Sequence, residues 1–135
     1  MWNWTLEASV KTGASEEAIW KLWTDVSSWP EWDHELDWCS IEGPFVVGAS
    51  GKLKPKGWMV TRFTLTHVEK NRGFADLTRM PLTSVIFRHS YVNGKLTHRV
   101  EVKGLLAPFL RLTMGKKIEK EMPKAIAALA KKAEE

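Results

Sequence analysis

Cysteine is almost missing from this 135-residue chain, and Cys39 stands alone. That excludes an internal disulfide framework and any cysteine-rich metal site. Long apolar runs are also missing: stretches such as 45–47 and 105–108 fall far short of the roughly 20 residues that span a bilayer. No basic, apolar, small-residue leader precedes the first strand pattern, so the expectation is a cytoplasmic protein without a membrane span. No nucleophile elbow, zinc-binding HExxH or dinucleotide GxGxxG occurs. The stretch Gly48-Ala49-Ser50-Gly51-Lys52 has Val46 where a phosphate loop needs its first glycine and Leu53 where it needs Ser or Thr. No cofactor and no metal is expected.

Acidic residues become scarce after the first third. Residues 1–50 hold 2 basic and 9 acidic side chains, and residues 51–135 hold 18 and 7, which gives the net charge of +4. The lysines come as short scattered pairs, without the aromatic-interleaved stripe that tracks phosphates, so nucleic acid is not an expected partner. The asymmetry suits head-to-tail contacts between copies, which makes a homodimer an expectation.

Tryptophan, by contrast, is abundant and lopsided. Seven of eight lie in the first 38 residues: Trp2, Trp4, Trp20, Trp23, Trp29, Trp32 and Trp38, with Trp58 the exception. Burying one removes roughly 150–250 Å² from water, an upper-bound stabilisation of about 4–6 kcal/mol. Indoles beyond the needs of one small core are suited to lining an apolar cavity with polar handles.

The order of elements follows from periodicity. Trp4, Leu6, Ala8 and Val10 alternate as in a half-buried strand. Ser15 caps a short helix with Glu16 and Glu17 in its first turn and Ile19, Leu22, Trp23 and Val26 on one face. Ser27-Ser28-Trp29-Pro30 starts a second short helix. Six strands come next, at about 36–42, 49–54, 58–69, 73–80, 83–92 and 95–103, and their short connections predict an antiparallel meander. From Pro108 to Ala133 the spacing of Leu110, Met114, Ile118, Met122, Ile126 and Leu129 predicts one long amphipathic helix, weakened at Gly115 and Pro123. Residues 1–135 read as one domain.

That order, with Ala14-Ser15-Glu16-Glu17-Ala18-Ile19-Trp20, Asp25 and Trp29-Pro30-Glu31-Trp32, resembles the START-like (SRPBCC, Bet v 1-like) superfamily in its polyketide cyclase/dehydrase branch. Phe87-Arg88-His89, Thr97-His98-Arg99-Val100, Gly104-Leu105-Leu106-Ala107-Pro108 and Ile126-Ala127-Ala128-Leu129 with Ala133-Glu134 extend the likeness over essentially the whole chain. The resemblance implies an α+β helix-grip fold, β-α-α-β6-α, whose seven-stranded antiparallel sheet wraps around the C-terminal helix and encloses an apolar cavity. It implies a small hydrophobic partner, aromatic, polyketide-like or lipid-like, and leaves open whether a reaction follows. Trp23, Trp58 and Met59 add bulk, and Leu106 replaces a proline. A compact aromatic or alicyclic ligand therefore fits better than a long lipid chain.

Asn93-Gly94 carries the sharpest inference, because a type I′ turn there fixes register. It sets Tyr91 against Leu96, His89 against His98, Phe87 against Val100 and Val85 against Val102 on one largely apolar face. Two imidazoles then meet with Cβ atoms about 5 Å apart, and desolvation and mutual repulsion keep both neutral. Such a pair can simply orient the wall through hydrogen bonds. It can also bind a ligand carbonyl or phenol, or act as an acid/base set with Tyr91. Metal binding would need a third ligand, and no carboxylate is expected on that face. The candidate pocket set is Trp32, Trp38, Trp58, Phe63, Phe87, His89, Tyr91, His98 and Phe109, with Trp58 and Phe63 needing a bulge to face the same way. Glu31, Asp33, Glu35 and Asp37 alternate with Trp32, His34, Leu36 and Trp38, as a solvated edge or a cation-attracting lip beside the cavity mouth.

Overall fold

The computed structural model describes residues 2–135. Strand β1 (Asn3–Lys11) leads to α1 (Glu16–Thr24) and a 3-10 helix (Val26–Glu31). Then come β2 (Leu36–Ile41), β3 (Ser50–Pro55), β4 (Thr61–Glu69), β5 (Gly73–Met80), β6 (Thr83–Val92) and β7 (Lys95–Gly104), followed by α2 (Ala107–Leu112) and α3 (Met114–Ala133). The strands form one antiparallel sheet in the order β1-β7-β6-β5-β4-β3-β2. Its meander is closed by β1 returning to pair with β7, so β1 and β2 are the edges. This is the α+β helix-grip arrangement expected from the sequence.

Local chemistry explains the entry. The Ser15 hydroxyl accepts the Ala18 N–H at 3.1 Å, capping α1, whose Ile19 and Trp23 are wholly buried. The 3-10 helix contains Pro30 and turns Trp29 inward, where its Nε1–H donates to the Trp23 carbonyl at 2.9 Å. Trp29 then stacks on Phe63 and Phe74, with centroids 5.9 and 5.8 Å away. The core therefore joins a segment from the first 32 residues to the middle of the sheet.

Three expectations about elements are corrected. The single C-terminal helix is two, broken at Thr113 (φ −110°, ψ −87°) rather than at Gly115 or Pro123. Residues 58–60 lie ahead of β4 rather than in it, so Trp58 and Phe63 do not share a strand and need no bulge between them. Register shifts appear in β4, between Leu65 and His67 and so beyond Phe63, and in β2, where the pairing with β3 shifts between Leu36 and Trp38. The extra residue in β2 turns Cys39 into the core and leaves Trp38 42% exposed.

Gly51 marks the tightest approach in this half of the sheet. A Cβ there would collide with the Phe63 ring and come within 2.6 Å of the Ser40 carbonyl oxygen. Gly51→Ala is expected to destabilise the fold by about 1–3 kcal/mol, read as a lower urea midpoint with unchanged m. A midpoint equal to that of the parent would mean that Phe63 has room to move.

Candidate functional site

Between the inner face of the sheet and α3 lies a cavity of about 240 Å³. Its helix wall is Met114, Ile118, Met122 and Ala125, the inward stripe of α3. The sheet wall comes mainly from β5 and β6, with Leu36 of β2, Leu53 and Pro55 of β3, Thr61 of β4 and His98 of β7. The charged or exposed members of the lining, Asp33, Glu35, Trp58, Lys117 and Glu121, mark the side taken as its mouth. Lys117 bridges that mouth: its Nζ lies 3.0 Å from a Glu35 carboxylate oxygen and donates to the Lys56 carbonyl at 3.2 Å.

The β6–β7 hairpin has the register set by Asn93-Gly94, with His89 opposite His98 and Phe87 opposite Val100. Asn93 (φ 51°) and Gly94 (φ 76°) both adopt the left-handed backbone of a type I′ turn. The two imidazoles stand with centroids 4.6 Å apart and planes at 74°. His89 also stacks flat on Phe74, at 4.0 Å and 6°. Trp32 packs against His98, at 5.7 Å. Both histidines and Trp32 line the cavity. His89 Nδ1, His98 Nε2 and Trp32 Nε1 are buried without a hydrogen-bond partner in the protein, as is Trp23 Nε1 behind them. Leaving such a group unpaired costs about 1–3 kcal/mol, so three unspent polar atoms on one apolar wall are a substantial concession.

Asp76 carries no signal in the sequence that singles it out. It sits on the inner face of β5, the central strand, opposite Phe87 on β6 and Leu65 on β4. It is 4% exposed and contributes to the cavity wall. Burial pushes its pKa up to about 8, so it is largely protonated near neutrality and can donate a hydrogen bond. Burial also pushes His98 down to about 3. His89 is held well below the ordinary imidazole value, by burial first and by His98 second. The site is thus a carboxylic acid and two neutral imidazoles inside an apolar wall. Cys39, pushed up to about 12 mainly by burial, remains a thiol and is no nucleophile.

Of the other sequence-derived candidates, Trp32, Trp58 and Phe87 line the cavity. Phe63 faces inward but is sealed in the core beneath Trp29, away from the cavity wall. Tyr91 does not join the histidines: its hydroxyl donates to the Ala14 carbonyl at 2.5 Å, which secures the entry to α1. Trp38 is turned outward by the β2 bulge. Phe109 is 60% exposed, because α2 ends at the Thr113 break and directs Leu110 inward instead. The acidic run is not one solvated edge. Glu31 pairs with Lys132 at 2.8 Å, Glu35 with Lys117, and Asp37 with Lys54 at 3.3 Å. Asp33, its pKa raised chiefly by burial, lies at the cavity mouth. Among the described residues no cluster of three or more His, Cys, Asp or Glu could hold a metal ion.

A family model described as polyketide cyclase / dehydrase and lipid transport matches residues 3–134. Among solved structures, the chain is similar to the major latex-like protein 151 of Panax ginseng, at 12% identity and TM-score 0.71, covering 99% of this chain and 97% of that one. It is similar to the Zhui aromatase/cyclase of Streptomyces sp. R1128, at 12% identity and TM-score 0.68 with 98% and 94% covered. A protein from Nitrosomonas europaea aligns at 9% identity and TM-score 0.69, with 96% and 94% covered. At such identities the likeness is one of fold. A search of curated protein sequences found no significant match. Among the described residues no helix is long and apolar enough to cross a membrane.

The buried ionisable groups give stability a definite pH dependence. Asp76 ionises at its ordinary 3.8 when unfolded but only near 8 when folded, so its contribution is whole below pH 3.8 and lost as pH rises towards 8. The histidines run the other way. Unfolded imidazoles take up protons below 6.5 while the folded ones resist, so their contribution is whole above 6.5 and is lost as pH falls, for His98 towards 3. The opposed slopes predict that this site's contribution peaks near pH 6.5. In urea unfolding between pH 6.5 and 8, Asp76→Asn is expected to flatten the decline seen in the parent. Parallel curves for the two proteins would show that Asp76 ionises normally.

Proposed function

Because the chain belongs to the polyketide cyclase / dehydrase and lipid transport family, we propose that it binds a compact hydrophobic molecule carrying a carbonyl or phenolic oxygen in the cavity between the sheet and α3. The observation that supports this reading most directly is the set of unpartnered buried atoms on His89, His98 and Trp32. An apolar cavity with a few convergent polar groups is the usual form of a small-molecule site. The indole N–H and the protonated Asp76 carboxyl are donors to a ligand oxygen, and a neutral imidazole can donate or accept according to its tautomer. At about 240 Å³ the cavity lies below the ~300–1,000 Å³ of pockets for drug-sized ligands, which favours one or two fused rings over an acyl chain. The naming of the Streptomyces neighbour as an aromatase/cyclase makes aromatic and polyketide-like compounds the first to try.

Asp76 favours a second reading, a cyclase/dehydrase-type enzyme. An acid with pKa near 8 beside two neutral imidazoles gives separate proton donor and acceptor groups within one water-poor site. In that reading a histidine takes a proton α to a carbonyl while Asp76 donates to the developing oxyanion. Tyr91, engaged with Ala14, has no part in it.

Tryptophan fluorescence separates the outcomes. Saturable quenching by naphthols, chromones or short aromatic ketones is expected, and Trp32→Phe or His98→Gln is expected to weaken it about tenfold, the effect of losing one buried hydrogen bond. Ligand recovered unchanged identifies a carrier. Conversion that Asp76→Asn abolishes while binding persists identifies the enzyme. Affinity unaltered by both the Trp32 and the His98 substitutions would remove the polar wall from the recognition scheme.

A further inference from the structure

The end of the molecule that holds the cavity mouth has an unusual surface. Three segments build it: residues 52–62 between β3 and β4, residues 77–84 around the β5–β6 turn, and residues 102–118 from β7 into α3. They are joined there. The Leu105 N–H donates to the Leu82 carbonyl and the Leu106 N–H to the Thr83 hydroxyl, each at 2.9 Å, and Lys117 reaches the Lys56 carbonyl. Pro55, Trp58, Met80 and Met114 from the same segments line the cavity.

Large apolar side chains protrude from all three: Leu82 is 77% exposed, Met59 68%, Leu112 67%, Phe109 60% and Leu105 52%. Leu82 is the least expected. It occupies the turn Pro81–Leu82 at φ 53°, in the left-handed region where the other non-glycine residues, among those described, are Asn71 and Asn93. A branched apolar side chain is poorly suited to that backbone and, at the tip of a turn, gains nothing from the core. The folded state alone gives no reason for leucine there.

Charge separates the occupants such a surface could take. The three segments contain nine basic residues and no acidic one. Lys54, Lys117 and Arg111 are paired with Asp37, Glu35 and Glu119 from adjoining segments, which leaves Lys52, Lys56, Arg62, Arg79, Lys103 and Lys116 as the cations of this end that form no salt bridge among the described residues. A two-fold contact with a second copy would set this cationic patch against itself, which is repulsive. Apolar tips on separate turns within a cationic ring suit a soft, planar, negatively charged surface, where side chains enter the headgroup layer and lysines and arginines meet lipid phosphates.

We propose that this end docks on an anionic lipid bilayer, with Leu82, Phe109, Leu112 and Met59 inserted and the cavity mouth facing the membrane. Docking of this kind needs no membrane-spanning segment, and it would let an apolar ligand pass between bilayer and cavity without crossing water. The proposal stands apart from the identity of the ligand, because neither Leu82 nor Phe109 lines the cavity.

The test is flotation of the full chain with phosphatidylcholine vesicles, with and without phosphatidylglycerol, at low and high salt. Binding is expected only with phosphatidylglycerol, weakening as salt rises. The double variant Leu82→Asn, Phe109→Ser should lose about tenfold or more in vesicle affinity while keeping its melting temperature, since asparagine suits the left-handed turn better than leucine does. Arg79→Gln with Lys103→Gln, two exposed positions outside the cavity, should weaken binding without touching the apolar tips. Failure to float with anionic vesicles at low salt, or equal flotation by the Leu82/Phe109 variant, would overturn the proposal. So would self-association at micromolar concentration that the same variant abolishes, which would assign the face to a second copy.

Discussion

The stack of Trp29, Phe74 and His89 is the contact on which the rest of the molecule depends. Trp29 comes from a 3-10 helix, Phe74 from the central strand and His89 from its neighbour. Trp29 lies against Phe74 at 5.8 Å and His89 lies flat on Phe74 at 4.0 Å. A curved sheet offers one helix more concave surface than the helix can cover, so part of that surface must be closed by something else. The aromatic stack, extended to Phe63, closes one side, and α3 is left to span the remainder. The cavity is the space between these two fillings. The stack also sets the electrostatics, since a ring held flat against Phe74 and edge-on to a second imidazole is desolvated and stays neutral. The same packing that stabilises the grip therefore prepares its polar wall.

How much of the fold is legible in the sequence depends on the strength of local signals. Asn93-Gly94 fixes a whole hairpin, because its backbone requirement leaves one turn type and hence one register. The turn before it holds the same kind of information but is mute. Pro81–Leu82 also connects strands through two residues, and counting outward from it sets Thr78 against Val85, Asp76 against Phe87 and Phe74 against His89, as the sheet does. Leucine in a left-handed turn has no sequence signature, so the register of β5 and the inward aim of Asp76 cannot be read from it. Trp38 and Phe109 depart from their expected places for a different reason. One extra residue in β2 and one broken turn at Thr113 each rotate the residues next to them, and periodicity has no means of showing either.

Four of the nine acidic residues in the first 50 pair with basic residues from the rest of the chain. Glu7 meets Arg99, Glu31 meets Lys132, Glu35 meets Lys117 and Asp37 meets Lys54. Single exposed pairs contribute little to stability, but two of these share a geometry: they fasten α3 to the 3-10 helix and the segment just after it. Lys117 does so directly across the mouth, holding Glu35 and the Lys56 carbonyl at once. Both partners of the Lys117–Glu35 pair are partly exposed. A mouth latched by exposed charge rather than by buried apolar contact can open without disturbing the core.

Local rules are broken in two places, and they border the same space. Unpaired polar atoms on His89, His98 and Trp32 lie on the cavity wall, and a solvent-exposed leucine in a left-handed turn lies beside the cavity entrance. Much of the scaffold follows local rules: Ser15 caps α1, Asn93-Gly94 turns the hairpin, and the inward stripe of α3 meets the sheet. A chain so consistent in its scaffold has the means to remove both exceptions, by an apolar residue for a histidine or an asparagine for Leu82. The packing of the scaffold explains neither exception, and departures of this kind from local rules are expected at functional sites. If the cavity takes an apolar ligand and its entrance meets a bilayer, wall and entrance are two parts of one device, the first contacting the bound molecule and the second the place it comes from.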